Sequence, residues 1–324
     1  MKNKYIVFIA PILLGIGYGI LAQASARNEI LKEVFSLMSI GYIFILPFVI
    51  GVITVYFASP ENAQKWSYRI FAPLLTSSIC LVISMLIGWE GLICLIMALP
   101  IYLPIASLGG IFTGILLSVF KKNTMHSFAF AALLLTPFVS SHIETRLNFE
   151  TEIREVHTQI QIDAPKEKVW KNIVRIPKIT EPQKSFFYTM GFPRPVEATL
   201  SFEGIDGVRE AIFEKGLLFL ETITIWEENK IIGFKIKADP RSTPLTTLDE
   251  HVVVGGEYFD TLFGQYEIIP INENSVNLKL FSRYRLSTRF NFYAEIWSDF
   301  LMRDIQNNIL SVIKSRVEEK RLSL

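Results

Sequence analysis

The sequence predicts an α+β protein in two parts, a multi-pass helical membrane domain over residues 1–143 and an antiparallel sheet carrying one long helix over residues 144–324. Three observations predict it. Five uncharged runs, Tyr5–Ala26, Val34–Pro60, Ile70–Trp89, Gly91–Phe120 and Asn123–Ile143, fill the first part and do not recur in the second. Apolar and polar residues alternate with the period of a strand from Glu155 onward. The chain then closes with apolar residues at helical spacing between Asn291 and Lys320.

Each uncharged run is long enough to cross about 30 Å of hydrocarbon at about 1.5 Å per residue. A buried helix of a soluble protein can mimic one such run, but not five in succession. Charge divides at the same boundary. Of 32 Lys+Arg and 31 Asp+Glu, eight and four precede residue 144, which leaves 24 and 27 after it, a net of −3. That balance supplies no basic footprint for nucleic acid and no polybasic patch for anionic lipid, so no nucleic-acid partner is expected.

Orientation follows from the short loops. Lys2, Lys4, Lys65, Arg69, Lys121 and Lys122 lie on one side, against Arg27 and Lys32, beside Glu29 and Glu33, on the other. This excess predicts a cytoplasmic N-terminus in a plasma (inner) membrane and, after five crossings, an extracytoplasmic C-terminal domain. The fourth run is 30 residues long and contains Pro100 and Pro104, so it reads as one kinked span or as a re-entrant piece plus a span. Lys2, Lys4 and the small residues Ala22–Ala26 imitate a signal peptide, but the apolar core is too long and more spans follow, so an uncleaved first helix is expected. Cys80 and Cys94 both fall within spans, so disulfides play no part in the second domain. None of the spans carries an ionisable group clearly at depth, as pumps and transporters require, and an anchoring bundle is the reading that remains. Gly15-x-Gly17-x-Gly19 imitates part of a nucleotide fingerprint, yet it sits in a span with no preceding strand, so close helix packing is expected there and at Gly110 and Gly114.

In the second part Val156, Thr158, Ile160 and Ile162 fall on one face of a strand. Asp163-Ala164-Pro165 ends it and opens a helix, since Asp163 can accept from free helix N–H groups and Pro165 has no donor to lose. Six further strands are predicted at Glu197–Glu203, Val208–Phe213, Leu217–Trp226, Ile231–Lys237, Glu257–Ile268 and Val276–Leu286. Turn residues at Asp206-Gly207, Lys215-Gly216, Glu228-Asn229 and Asn272–Asn274 separate several of them. Along the final helix Trp297, Leu301, Ile305, Ile309, Ile313 and Val317 recur at intervals of four and form the predicted buried stripe.

Ile160, Ile162, Ala164, Pro165, Val169 and Trp170 make the pattern I-x-I-x-A-P-x-x-x-V-W, which resembles the opening of the START-like, or SRPBCC, superfamily. The stretch from Gly207-Val208-Arg209 through Gly216 to Glu221-Thr222-Ile223 and Trp226-Glu227 is similar to the middle hairpin of its polyketide cyclase/dehydrase-like branch. The resemblance covers about residues 153–320. It implies a helix-grip fold, a curved sheet of about seven strands gripping the final helix around a cavity. It also implies a lipid or another hydrophobic small molecule as the ligand, with a cyclase-like or hydrolytic enzyme as the alternative.

A concave apolar pocket between helix and sheet is the expected ligand site. Tyr258, Tyr266 and Tyr284 are expected to bring polar tips to it, and Trp297 and Leu301 to line it from the helix. Arg209 and Glu221 flank the Lys215-Gly216 turn. A two-residue loop would set Glu210 against Glu221, an unfavourable like-charge contact, whereas a register shifted by one brings Arg209 beside Glu221. That pair is the predicted polar anchor of the cavity, with a surface ion pair as the alternative. Catalytic residues stay unassigned. His157 and His251 are isolated, Asp249-Glu250-His251 falls in a loop, and no metal spacing, nucleophile elbow or phosphate loop occurs, so neither metal nor cofactor is expected. An enzyme would require a buried carboxylate or His of shifted pKa beside the pocket. A purely interacting surface would require a filled cavity and an exposed apolar patch.

Overall fold

The structure, a computed structural model, describes residues 2–31, 34–119, 124–147, 151–238 and 254–319, with side chains from Tyr5 onward and excluding those of residues 124–128 and 319. Lys121, Lys122 and the Asp249-Glu250-His251 run lie outside the described residues. The chain forms two compact units, Met1–Phe149 and Glu150–Leu324.

In the first unit the uncharged runs become helices α1 (Lys2–Arg27), α2 (Leu46–Tyr56, entered through a π-helical turn at Gly41–Ile45), α4 (Trp66–Leu86), α5 (Leu92–Val119) and α6 (Thr124–Thr145), with a four-residue α3 at Pro60–Ala63. Among the described residues α1, α4 and α5 are long and apolar enough to cross a membrane. The second run falls short of its predicted length, with continuous helix only over Gly41–Tyr56. The cause is local. The Glu144 carboxylate accepts from the Ile40 and Gly41 N–H groups at 2.7 and 3.0 Å, capping a helix start seven residues into the run. The fourth run is one continuous helix through both prolines.

Small residues set the helix spacing. A Cβ built on Gly51 would overlap the Ala106 carbonyl, and one on Gly109 the Phe48 carbonyl, so α2 and α5 meet backbone to backbone. Gly15 and Gly19 of α1 likewise face Thr76 and Cys80 of α4, while Gly17 faces open space. Buried polar side chains bond across the bundle: Gln23 with Ser84, Thr54 with Thr76 at 3.2 Å, and the Tyr102 hydroxyl to the Tyr42 carbonyl at 3.0 Å.

The second unit is a curled seven-stranded antiparallel sheet in the order β1-β7-β6-β5-β4-β3-β2. Its strands are β1 (Glu152–Ile162), β2 (Pro195–Leu200), β3 (Val208–Phe213), β4 (Leu218–Glu227), β5 (Ile231–Ala238), β6 (Phe259–Asn272) and β7 (Ser275–Leu286). Register shifts at Ile223/Ile225 and Thr261/Phe263 mark bulges, which bend strands and help the sheet to curl. Between β1 and β2 lie α7 (Lys166–Val174), with Pro165 at the cap position, and the short α8 (Phe186–Thr189).

The last helix, α9 (Asn291–Glu319), lies in the curl. Its C-terminal third buries Leu310, Ile313 and Val317 with Trp170 and Ile173 of α7 and with Ile223, Ile232 and Leu278 of the sheet. Arg316 ties this end to the preceding loop through both Glu181 carboxylate oxygens, at 2.5 and 2.7 Å. At the other end Arg154 joins Glu295 and Asp299. The stripe predicted by steps of four is only half right. Counted back from Val317, such a line turns about 40° per step and has rotated about 200° by Trp297. The buried positions instead run through Asn291, Ala294, Ser298, Met302, Gln306, Asn308, Leu310, Val312, Ile313 and Val317.

Candidate functional site

Between the middle of α9 and the concave face of the sheet lies a cavity of about 130 Å³, partly open to the surface. Most of its wall is apolar. Leu301, Ile305 and Ile309 face it from α9, and Ala211, Phe234 and Leu280 from the sheet. It exists because the large side chains that close the core gather around Trp170 and Leu310, whereas Ala198, Ala211 and Gly264 line this region and leave it unfilled.

Into this wall the β3–β4 hairpin sets two charges. Its turn is three residues long, Glu214–Gly216, with Phe213 N–H donating to the Leu217 carbonyl at 2.8 Å. Lys215 and Gly216 take left-handed conformations, φ 58° and 84°, that let so short a loop reverse the chain. A loop of this length places Arg209 directly opposite Glu221. Their side chains are ion-paired and nearly inaccessible, the residues being 2% and 7% exposed. The guanidinium also lies 5.3 Å from the centre of the Phe234 ring. Burial pushes the Glu221 carboxyl above its ordinary value, and Arg209 pulls it back only in part. Tyr266, on the same wall, is pushed up to about 12 by burial, with Arg209 opposing the rise.

The sequence-predicted residues divide into two groups. Arg209, Glu221, Tyr266 and Leu301 line the cavity. Tyr258, Tyr284 and Trp297 do not. Tyr284 is fully buried, but its hydroxyl donates to Asp299 at 2.5 Å and so fastens α9 to the sheet. Tyr258 is half-buried ahead of β6, where its carbonyl accepts from Ser287 N–H at 2.9 Å. Trp297 is half-buried on the flank of α9, 6.4 Å from the Phe300 ring. The buried polar side chain of Gln306 in the wall went unread in the sequence. Gln306 is 2% exposed, donates to Ser282 Oγ at 2.8 Å and accepts from Thr158 Oγ1 at 2.8 Å. Its place four residues after Met302 and four before Leu310 was the available signal.

No family model matches the chain, and no curated protein does. Solved structures do. A norcoclaurine synthase of Thalictrum flavum, in complex with a transition-state analogue, matches at 10% identity over 53% of this chain and 98% of its own, with TM-score 0.32. The ZhuI aromatase/cyclase of Streptomyces sp. R1128 matches at 12% identity over 52% and 96%, with TM-score 0.35. A protein of Geobacillus kaustophilus matches at 10% identity over 51% and 96%, with TM-score 0.31. Each is a likeness of fold. The topology described above has the helix-grip arrangement that the START-like resemblance implies, a curled antiparallel sheet around a C-terminal helix.

Chemically, the arrangement can shelter an apolar body and offer it a few fixed polar groups. Among the described residues no cluster of His, Cys, Asp and Glu is placed to hold a metal ion. His157 is exposed on the outer side of β1, stacked on Phe281, and His251 lies outside the described residues.

Proposed function

We propose that this protein is a multi-pass membrane protein, residues 1–143, whose C-terminal domain, residues 144–324, binds a lipid or another hydrophobic small molecule in the cavity. One observation carries the reading: an apolar cavity between sheet and helix, with the buried Arg209–Glu221 pair set in its wall. Concave apolar pockets with few, fixed polar groups are where such ligands bind. The membrane half of the reading is supported by α1, α4 and α5. The sixteen residues of Gly41–Tyr56 span about 24 Å, a deficit of about 6 Å that local thinning of the bilayer accommodates. Tethering holds the domain at the surface where apolar ligands concentrate. With five crossings and a cytoplasmic N-terminus the domain is extracytoplasmic, so alkaline phosphatase fused to the C-terminus is expected to be active. An inactive fusion reverses the orientation.

Native mass spectrometry of residues 150–324 tests the binding. A co-purified small molecule is expected, and Ala211→Phe, which puts a ring into the cavity, is expected to remove it while leaving the fold intact. A domain that carries nothing in either form sinks the reading. An acid–base enzyme is the second reading, favoured by one observation, the raised carboxyl of Glu221 beside the cavity. Recovery of the bound molecule unchanged after incubation supports binding, and its conversion turns the case to the enzyme. A purely interacting surface fares less well. Phe292, Ile296 and Phe300 do form an exposed apolar line on α9, but the cavity is not filled.

A further inference from the structure

The guanidinium of Arg209 has five N–H donors and no acceptor capacity. The guanidinium donates through Nη1 to Glu221 and also interacts with the Tyr266 hydroxyl, while Nε stays buried without a partner. A buried donor without a protein partner is costly and calls for an acceptor. Arg209 is one of the residues that line the cavity, so its guanidinium is the donor group a ligand there would meet.

Charge narrows the choice of acceptor. Arg209 and Glu221 cancel, so the anchor is dipolar and carries no net charge. An anionic ligand would leave an uncompensated negative charge in the apolar cavity, beside Glu221 and close to Glu197, which also lines it and has no cationic partner among the described residues. A cationic ligand would press against a guanidinium that cannot deprotonate. An anion there is buried without a counter-charge and a cation is set against the fixed charge of Arg209, both of which low-polarity surroundings disfavour. A neutral oxygen acceptor meets the free donors of Arg209 and leaves the existing pair intact. Size narrows it further. The cavity is close to the roughly 150 Å³ of an engineered apolar cavity that takes benzene, so the part of the ligand seated inside is about one ring in size.

We propose that the cavity selects a compact neutral ligand, an apolar ring or short chain bearing one carbonyl-type oxygen that accepts from Arg209. This rests on the binding reading above and specifies the chemistry of its site.

Three matched fluorinated probes test it by fluorine NMR on the full chain in lipid nanodiscs: 4′-fluoroacetophenone with a neutral acceptor, 1-ethyl-4-fluorobenzene with none, and 4-fluorobenzoate with an anionic one. Nanodiscs holding the Ala211→Phe variant give the background from partition into lipid. The ketone is expected to bind at least about ten-fold more tightly than the ethyl compound, the gain of one hydrogen bond from a charged donor. The benzoate is expected to bind most weakly. The double variant Arg209→Met/Glu221→Leu removes both charges together and leaves neither unpaired. It should lose the preference for the ketone, so that ketone and ethyl compound bind alike. Equal binding of ketone and ethyl compound in the natural chain, or tightest binding of the benzoate, overturns this proposal and leaves the cavity a ligand site. Binding of none of the three above background overturns both.

Discussion

Arg209→Met and Glu221→Gln, made singly, are each expected to destabilise the C-terminal unit by about 3–5 kcal/mol, and the double variant Arg209→Met/Glu221→Leu by far less. The reason is the asymmetry of buried pairs. Each charge is costly in the 2% and 7% exposed positions they occupy, and each is tolerable only because the other is there. Removing one strands its partner, whereas replacing both with side chains of similar volume removes the desolvation cost along with the attraction. The two single variants also separate by pH. Glu221 already titrates above its ordinary value because of burial, and loss of Arg209 removes the influence that lowers it, so its folded value rises further. A carboxyl raised on folding contributes its stability below the unfolded value of 4.5 and loses it as pH climbs through the folded value. The Arg209→Met protein therefore recovers as the pH is lowered towards 4.5. Glu221→Gln does not, because a guanidinium has no neutral form to retreat to. Urea unfolding of residues 150–324 at pH 5 and pH 8 measures both effects. A double variant that costs the sum of the two single ones would mean that the charges are not energetically coupled.

That pair also shows where sequence reading succeeds. Strand alternation and the placement of turns follow from side-chain period and left-handed residues, so seven strands and the final helix were legible. The opposition of Arg209 and Glu221 was legible too, through a negative argument: a two-residue turn would have set two glutamates face to face. What was not legible depends on curvature and on long-range packing. Trp297 carries the residue type of a core anchor and lies on a line of apolar residues, yet a line of fours winds off the core face. Gln306 reads as a solvent-facing residue, and partners such as Thr158 and Ser282, 148 and 24 residues away in sequence, make its burial tolerable. Tyr284 was correctly placed on the inward face of β7, but the side chain its hydroxyl would meet, Asp299, could be known only once α9 had been docked. In the first unit the shortened helix at Gly41 depends on Glu144, more than a hundred residues on, which hydropathy alone cannot signal.

Glycine positions in the same unit give the second large effect. Gly109→Val, or Gly51→Val, is expected to destabilise the helical unit by at least about 3 kcal/mol or to prevent its folding, at or beyond the upper end of ordinary overpacking. In most overpacked sites a neighbouring side chain changes rotamer and absorbs the insult. Here the atoms in the way are main-chain carbonyls, those of Ala106 opposite Gly51 and Phe48 opposite Gly109, so two helices must separate as whole bodies. Separation would also unseat the side chains packed between them. Gly17 provides the internal contrast. It lies in α1 between Gly15 and Gly19, which touch α4, but nothing stands within 4 Å of a Cβ built on it. Gly17→Ala should therefore gain up to about 1 kcal/mol from helix propensity alone. Cys80 reports the outcome without a label, because it is 1% exposed and packed against Gly19 in the helical core. Its rate of reaction with a thiol reagent, followed against temperature in the full chain, should rise about 10 °C earlier in Gly109→Val and slightly later in Gly17→Ala. A Gly109→Val protein whose Cys80 stays protected as long as in the natural chain would show that α2 and α5 do not meet at these glycines.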